Sequence, residues 1–459
     1  MMAAAQKVQD IETLIVGMGI TGLSCARFLA KLGIAFRLVD DRIAPPMLNT
    51  FREEFADVEI RFGRFDEQDL YGVTRLILSP GVSRQHPFVH LALQRNIQVI
   101  GDIELFAQHA NAPVIGITGS NGKSTVTTLI GEMLGSAGKH VQVGGNLGKA
   151  ALDLLCDSAP DYYVLELSSF QLDTTNSLNL SAAVLLNISP DHMDRYANIE
   201  AYARSKARIF QHAEYAVING DDAYIAGLSI KAKKDIIKFL AASPGSNQFG
   251  LRDVDGVTFL AQGDKLLVST ADLQLQGRHN WSNALAALAV IYALGQPMEK
   301  SIDVLKQFKG LPHRCQLVAN HNGILWINDS KATNIGAAKA AIDSMNSPII
   351  LIAGGDGKGA DFAELYSVFR LKVKLAILFG KDADRMYSAL RSATQCLRVK
   401  DMSSAVDQAG LHAKTGDIIL LAPACASLDM YTNYMARGDD FAVCAGRYIE
   451  RIDVRGTQS

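Results

Sequence analysis

At 459 residues the chain exceeds one ordinary domain of roughly 100–200 residues, and 48% hydrophobic with 20% charged residues describe a globular, water-facing protein. Lysine plus arginine (45) nearly balance aspartate plus glutamate (47), which removes the electrostatic basis for a nucleic-acid partner. The six cysteines form no C-x-x-C pair, the tail over 1–10 leads into no apolar signal core, and no apolar run is long enough for a bilayer, so a reducing, cytoplasmic setting without membrane insertion is expected.

Apolar residues over 13–16 predict a strand, followed by the turn Gly17-Met18-Gly19-Ile20-Thr21-Gly22 and a helix over 23–32. A strand over 35–39 ends in Asp40-Asp41-Arg42, and one over 75–78 ends in Ser79-Pro80-Gly81. Apolar strands alternating with helices, with polar residues at their carboxyl ends, predict a parallel doubly wound sheet. The glycine turn with Asp40 downstream fits a dinucleotide fingerprint, in which glycines admit a pyrophosphate and the acid meets a ribose hydroxyl. That fingerprint serves a nucleoside diphosphate as readily as a nicotinamide cofactor, and a plain tight turn is the simpler alternative.

A break near Gly101-Asp102 opens a second unit, with the run Gly116-Ile117-Thr118-Gly119-Ser120-Asn121-Gly122-Lys123-Ser124-Thr125 between an apolar strand and a helix. Backbone N–H groups of such a turn, the helix dipole and the Lys123 charge together cradle phosphates, and Ser124 or Thr125 can hold Mg2+. The spacing is compressed: Ile117 stands where a glycine is usual. Strands over 162–165 and 182–186 end at Glu166 and Asn187. A carboxylate at Glu166 calls for a cation, with helix capping as the alternative. His192, in Ser189-Pro190-Asp191-His192-Met193-Asp194, is a candidate ligand for a second metal ion, with Asp191 and Asp194 as rivals. Lys206 reads as part of an exposed basic helix face. A weaker β-rich patch over 257–268 leads to Gly277-Arg278-His279-Asn280 and an alanine-rich helix over 281–294.

A third α/β unit begins after Phe308-Lys309-Gly310, with strands over 324–327, 349–353, 375–379 and 418–422. The expected architecture is therefore α/β in three domains, 1–101, 102–310 and 311–459: Rossmann-like, a central ATPase-type parallel or mixed sheet, and Rossmann-like again. A dehydrogenase would leave the phosphate loop unexplained. A nucleotide-gated switch or transport ATPase would leave the first glycine turn unexplained.

The phosphate loop, Leu165-Glu166-Leu167-Ser168-Ser169-Phe170-Gln171, Asp191-His192-Met193-Asp194-Arg195-Tyr196, Gly277-Arg278-His279-Asn280, Leu311-Pro312-His313-Arg314, Asn328-Asp329-Ser330-Lys331-Ala332-Thr333-Asn334 and Pro423-Ala424-Cys425-Ala426-Ser427-Leu428-Asp429 together resemble the Mur ligases, in order along nearly the whole chain. The resemblance implies an ATP-dependent amide ligase that joins D-glutamate to UDP-N-acetylmuramoyl-L-alanine through an acyl phosphate in peptidoglycan precursor synthesis, acting as a monomer. It implies ATP contacts at Thr118, Gly119, Ser120, Asn121, Gly122, Lys123, Ser124, Thr125, Asn280, Asn283, Arg314, Asp329 and Lys331, with Lys123, His192 and Lys206 in the catalytic set. Two Mg2+ ions would be held by Ser124, Glu166, His192 and a carbamylated Lys206. The nucleotide sugar would lie along Ile20, Thr21, Asp40, Asp41, Arg42 and Gly81, with Asn146 and Ser168 nearer the reacting end; Asp41 replaces a small hydroxyl residue frequent in the family. D-Glutamate would meet Thr333, Lys358, Ser427, Leu428 and Tyr434, the last in place of a common phenylalanine. Because all three domains contribute, the free chain is expected to be open and to close on its substrates.

Overall fold

Each of the three strand groups closes into its own sheet in the computed structural model, which describes residues 12–275, 277–345 and 347–456; the tail over 1–10 lies outside the described residues. In the first domain β1 (Thr13–Val16), β2 (Phe36–Asp40), β3 (Ile60–Phe62), β4 (Arg75–Leu78) and β5 (Gln98–Ile100) pair in parallel, in the order β3-β2-β1-β4-β5. Every residue of β1 is buried, and alternate residues enter opposite cores: Ile15 on one face, Leu14 and Val16 on the other. That two-sided burial is why the strand reads as a continuous apolar run. The helix Ile20–Lys31 starts three residues earlier than expected. It does so because Gly22 lets it press on the strand end: a Cβ there would lie 2.0 Å from the Gly17 carbonyl oxygen.

The central sheet carries β6 (Val114–Thr118), β7 (Val141–Gly145), β8 (Tyr162–Glu166), β9 (Leu180–Leu185), β10 (Ala213–Asn219), β11 (Asp235–Phe239), β12 (Gln248–Val254), β13 (Val257–Gln262) and β14 (Lys265–Ser269), ordered β14-β13-β12-β11-β10-β9-β6-β8-β7. Pairing is parallel from β7 to β12, and antiparallel for β12 with β13 and β13 with β14, so the sheet is mixed. One face packs on the helices Lys123–Ser136 and Arg278–Ala293, whose buried Ala284, Ala286 and Ala287 permit a close approach. The opposite face shares a continuous core with the first domain, running from Ile15 and Leu29 through Phe106 to Tyr163 and Leu180.

The third domain orders β15 (Gln316–His321), β16 (Ile324–Asn328), β17 (Ile349–Gly354), β18 (Val373–Phe379), β19 (Gln395–Arg398) and β20 (Ile418–Leu421) as β15-β16-β20-β17-β18-β19. All pairs are parallel except the edge strand β15, which returns antiparallel to β16. Among the described residues no helix is long and apolar enough to cross a membrane.

One buried cation fixes the carboxyl-end loops of this sheet. Arg437, 1% exposed on the helix Tyr434–Gly456, donates from Nε to Ser330 Oγ (3.0 Å) and from Nη2 to the carbonyls of Ser330 (2.9 Å) and Cys425 (3.1 Å), with Nη1 3.4 Å from the Gly354 carbonyl. It thereby ties together the loops after β16, β17 and β20. Arg437→Met leaves these carbonyls unsatisfied in the interior and is expected to lower the unfolding free energy by about 3 kcal/mol, read as an earlier midpoint in urea. An unchanged midpoint would contradict this role.

Candidate active site

The phosphate loop leaves β6 at Thr118 and enters the helix at Lys123. Gly119 and Gly122 take positive φ, 151° and 87°, and a Cβ on Gly122 would sit 2.3 Å from Asn283 Oδ1, so only glycine fits under the neighbouring helix. Asn187, just past β9, pins the loop. Its Oδ1 accepts from Asn121 N–H (2.8 Å), its Nδ2 donates to the Asn121 carbonyl (3.0 Å), and its own carbonyl accepts from Ser120 N–H (2.8 Å). The helix start has no side-chain cap, so its first N–H groups face the cavity. Lys123 folds back over the loop, donating to the carbonyls of Gly119 and Ser120 at 2.9 Å each.

Glu166 lies beside the loop because β8 pairs with β6, bringing Ile117 opposite Glu166. The carboxylate is 3% exposed; its Oε2 accepts from Ser124 Oγ (2.6 Å) and its Oε1 from Asn146 Nδ2 (2.8 Å). Burial opposes its ionisation, yet the Lys123 charge and these two donors outweigh burial and hold the carboxyl below its ordinary range. Ser124 Oγ also accepts from Arg314 Nη2 at 2.6 Å. Beyond β9, His192 has φ 57° and sets its ring edge-on to Phe170, with ring centroids 4.8 Å apart. Burial lowers its pKa against the pull of Asp191, leaving a neutral imidazole at pH 7.

Lys206 departs from expectation. The helix Ile199–Ala207 exposes Arg204 but turns Tyr202, Ser205 and Lys206 inward, and Lys206 is only 2% exposed. Its Nζ donates to the Gly119 carbonyl (2.9 Å) and lies 4.6 Å from the centre of the Tyr202 ring. Burial first, then the nearby Lys123 charge, drives its pKa well down, so the group is an interior amine rather than a solvated basic face.

The third domain closes the cavity from the other side. Asp329 follows β16, accepts from Cys315 N–H (3.2 Å), and is pushed up to about 6 by burial. Lys331, lowered to about 8 by burial and by Arg314 and Lys123, sits 4.1 Å from the centre of the Tyr434 ring. Asn334 caps the helix Ile335–Ser344 and reaches across to Asn121 Oδ1 (3.3 Å) and Asp191 Oδ2 (3.2 Å), while Lys358 Nζ lies 3.8 Å from Asp191 Oδ1. The arrangement is therefore closed between the central and third domains. These walls enclose about 540 Å³.

Loop residues 120–125, Asn146, Glu166 and His192 line this space together with Asn280, Asn283, Arg314, Asp329, Lys331, Thr333 and Lys358. Other expected residues stand apart. Thr118 is fully buried, its hydroxyl donating to the Leu167 carbonyl (2.7 Å), and Ser168 caps the helix Ser169–Asp173. Ile20, Thr21, Asp40, Asp41, Arg42 and Gly81 gather at the carboxyl ends of β1, β2 and β4. Asp40, 1% exposed, is engaged by Met18 N–H (2.6 Å) and by the Arg42 guanidinium (2.7 and 2.8 Å), so it holds the turn and aims Arg42. Ser427 and the exposed Leu428 belong to the loop after β20, outside the cavity wall. Sequence reasoning missed Asn187, Asn219 and Asn334 as parts of the site. Asn187 and Asn219 stand at carboxyl strand ends, the position that could have exposed them. It also missed His279, which lines the cavity on the first turn of its helix.

Comparison with known proteins gives the family. Residues 11–101 match the family described as Mur ligase MurD-like, N-terminal domain, residues 117–291 the Mur ligase middle domain, and residues 313–425 the Mur ligase glutamate ligase domain. A UDP-N-acetylmuramoylalanine–D-glutamate ligase of Pseudomonas putida is 47% identical over 97% of this chain and 99% of its own, and one of Nitrosococcus oceani is 47% identical over 94% and 95%. Among solved structures, a MurF ligase of Thermotoga maritima in complex with ADP covers 97% of this chain and all of its own at 16% identity, TM-score 0.61. A pseudomurein peptide ligase type C of Methanothermus fervidus covers 96% and 100% at 19% identity, TM-score 0.60. The chain belongs to the Mur ligase family.

Proposed function

We infer that the chain is an ATP-dependent ligase that joins D-glutamate to UDP-N-acetylmuramoyl-L-alanine, making a peptidoglycan precursor. The observation that carries the reading is the single cavity in which a phosphate loop, a buried anionic Glu166 and the third-domain cations Lys331 and Lys358 meet. The 47% identity to D-glutamate ligases along nearly the whole chain supplies the substrate pair. The boundaries that fit this division of labour are 1–101, 102–310 and 311–459. The chain acts as a monomer in this reading, and ATP with a nucleotide sugar as substrates suits the cytoplasm.

A carboxylate is a poor electrophile and must be activated before an amine can attack it. The alanyl carboxylate attacks the γ-phosphorus of ATP, releasing ADP and leaving an acyl phosphate; the amine of D-glutamate then attacks the acyl carbon, loses a proton, and expels inorganic phosphate. Lys123, the loop N–H groups and the helix start stabilise the charge gathering on the transferred phosphoryl group. Asn280, Asn283, Asp329 and Lys331 contact ATP, with Arg314 bridging to Ser124. Thr333 and Lys358, with Ser427 and Leu428 on the loop after β20 and Tyr434 at the start of the last helix, receive D-glutamate, and Arg42 and Gly81 lie along the nucleotide-sugar path with Ile20, Thr21 and Asp41. Closure by Asn334 and Lys358 excludes the water that would hydrolyse the acyl phosphate.

The donor set fits magnesium. Glu166 is anionic and buried and His192 is neutral, donors beside the phosphate loop that suit a hard cation completing its shell with phosphate and water. Ser124 and Glu166, and His192 with a carbamate at Lys206, would hold magnesium, which would supply charge neutralisation at the triphosphate. Lys206 suits that modification because burial drives its pKa well down and so favours the neutral amine, whose lone pair adds to CO2 to give an N-carboxylate and a proton.

Phosphate release from Mg-ATP with UDP-N-acetylmuramoyl-L-alanine is expected with D-glutamate and not with L-glutamate, L-alanine, L-lysine or meso-diaminopimelate, and to fall by about a hundredfold or more in Lys123→Ala. Release supported equally by another amino acid would contradict the substrate assignment. With 13C-labelled bicarbonate, a carbamate carbonyl resonance is expected in the native protein and absent in Lys206→Ala; identical spectra would remove the carbamate from the account.

A further inference from the structure

We propose that Asp102 and Gln171 form a positioning pair that couples the seam between the first and central domains to the Glu166–Ser168 strand end; the proposal rests on the ligase reading above. Asp102 opens the helix Asp102–Ala107, directly after β5 and Gly101. The seam is tight there: Gly101 N–H donates to the Thr174 carbonyl (3.3 Å), and a Cβ on Gly101 would lie 2.2 Å from Thr174 Oγ1. Two residues on, Glu104 accepts from the N–H groups of Asn176 (2.6 Å) and Ser177 (2.9 Å), which docks the same helix on the central domain.

Asp102 is built differently from Glu104. It is 3% exposed, its Oδ2 accepts from Gln171 Nε2 (2.9 Å), and its Oδ1 has no hydrogen-bond partner among the described residues, the carboxylate being favoured besides by the backbone N–H groups of Ile103 and Asp102 at the helix start. Burial pushes its carboxyl up to about 6, so the group costs stability where it stands. A residue serving only to dock the helix has no need of that cost, since Glu104 docks it with two bonds to backbone N–H groups of the central domain. Gln171 passes the contact inward. Its Oε1 accepts from Ser168 N–H (3.1 Å) and Ser168 Oγ (3.2 Å). Because a backbone N–H can only donate, Oε1 must face Ser168 and Nε2 must face Asp102. Ser168 lies two residues past Glu166, so the seam acid, the glutamine amide and the site strand end form one hydrogen-bonded line. Movement of the first domain on its nucleotide ligand therefore reaches Ser168 through Gln171.

The test is a reciprocal swap at about pH 8. Gln171→Glu faces Asp102 with a second carboxylate and is expected to lower kcat by about tenfold or more while KM for ATP stays within about twofold, because orientation is lost and the nucleotide pocket is not. Asp102→Asn still accepts from Gln171 and is expected to stay near native rates. The double variant Asp102→Asn with Gln171→Glu restores a donor and an acceptor and is expected to recover most of kcat. A double variant as slow as Gln171→Glu, or Gln171→Glu at native kcat, overturns the proposal. If Gln171→Glu does not fold, Asp102→Ala takes its place with the same expected loss of kcat, and native kcat there overturns the proposal equally. A native protein inert as a ligase refutes the function and not the pair, which is then read from hydrogen exchange of the Ser168 amide, faster in Gln171→Glu and restored in the double variant; unchanged exchange overturns it.

Discussion

The constraint on which the site depends is electrostatic: the fold gathers Lys123, Arg314, Lys331 and Lys358 around one cavity with Glu166, Asp191 and Asp329 as the nearby counter-charges. Burial and mutual repulsion already lower the pKa of Lys123 and bring Lys331 to about 8. Such repulsion is tolerable only because each charge is held by something rigid: Lys123 on loop carbonyls, Arg314 on Ser124, Lys331 on the Tyr434 ring, Lys358 beside Asp191. A ligand carrying several negative charges relieves that repulsion, and its transition state relieves it more as charge gathers on the transferred phosphoryl group.

Sheet topology puts these groups in place. The phosphate loop, Glu166, Asn187 and Asn219 all stand at carboxyl ends of adjacent parallel strands in the order β8-β6-β9-β10, so neighbouring strands deliver neighbouring functions. The third sheet does the same with the loops after β16, β17 and β20, tied by Arg437. Asn121, Asp191, Asn334 and Lys358 then join the two strand-end surfaces across the cleft. The pairing is largely neutral or partly solvated, of a strength that domain motion can break and remake.

Much of this was legible in the chain because β1, β6, β8, β16, β17 and β20 are short apolar runs ending in glycine or polar residues, and both-face burial leaves that imprint. The mixed edge of the central sheet was only partly legible: β13 and β14 were visible as a β-rich patch, whereas β10, β11 and β12 interleave charge with apolar residues and gave no clear run. The antiparallel β15 and the long last helix were likewise unmarked. The site followed the same rule. The phosphate loop, Glu166 and Asp329 stand at carboxyl strand ends marked by the apolar runs before them, but burial of Lys206 is decided by helix Ile199–Ala207 docking over Gly119, a contact 87 residues away in sequence. The enclosure of the cavity by Asn334 depends on a contact 213 residues long, which local pattern does not encode.

The most direct test of the account follows one oxygen atom. If the alanyl carboxylate attacks the γ-phosphorus and the amine later expels that phosphate, one carboxylate oxygen must leave with it. With UDP-N-acetylmuramoyl-L-alanine labelled with 18O in the alanyl carboxylate, mass spectrometry of the inorganic phosphate formed with Mg-ATP and D-glutamate is predicted to show one 18O per phosphate. Unlabelled phosphate accompanying full product formation would contradict activation through an acyl phosphate, and with it the role assigned to the cationic cavity.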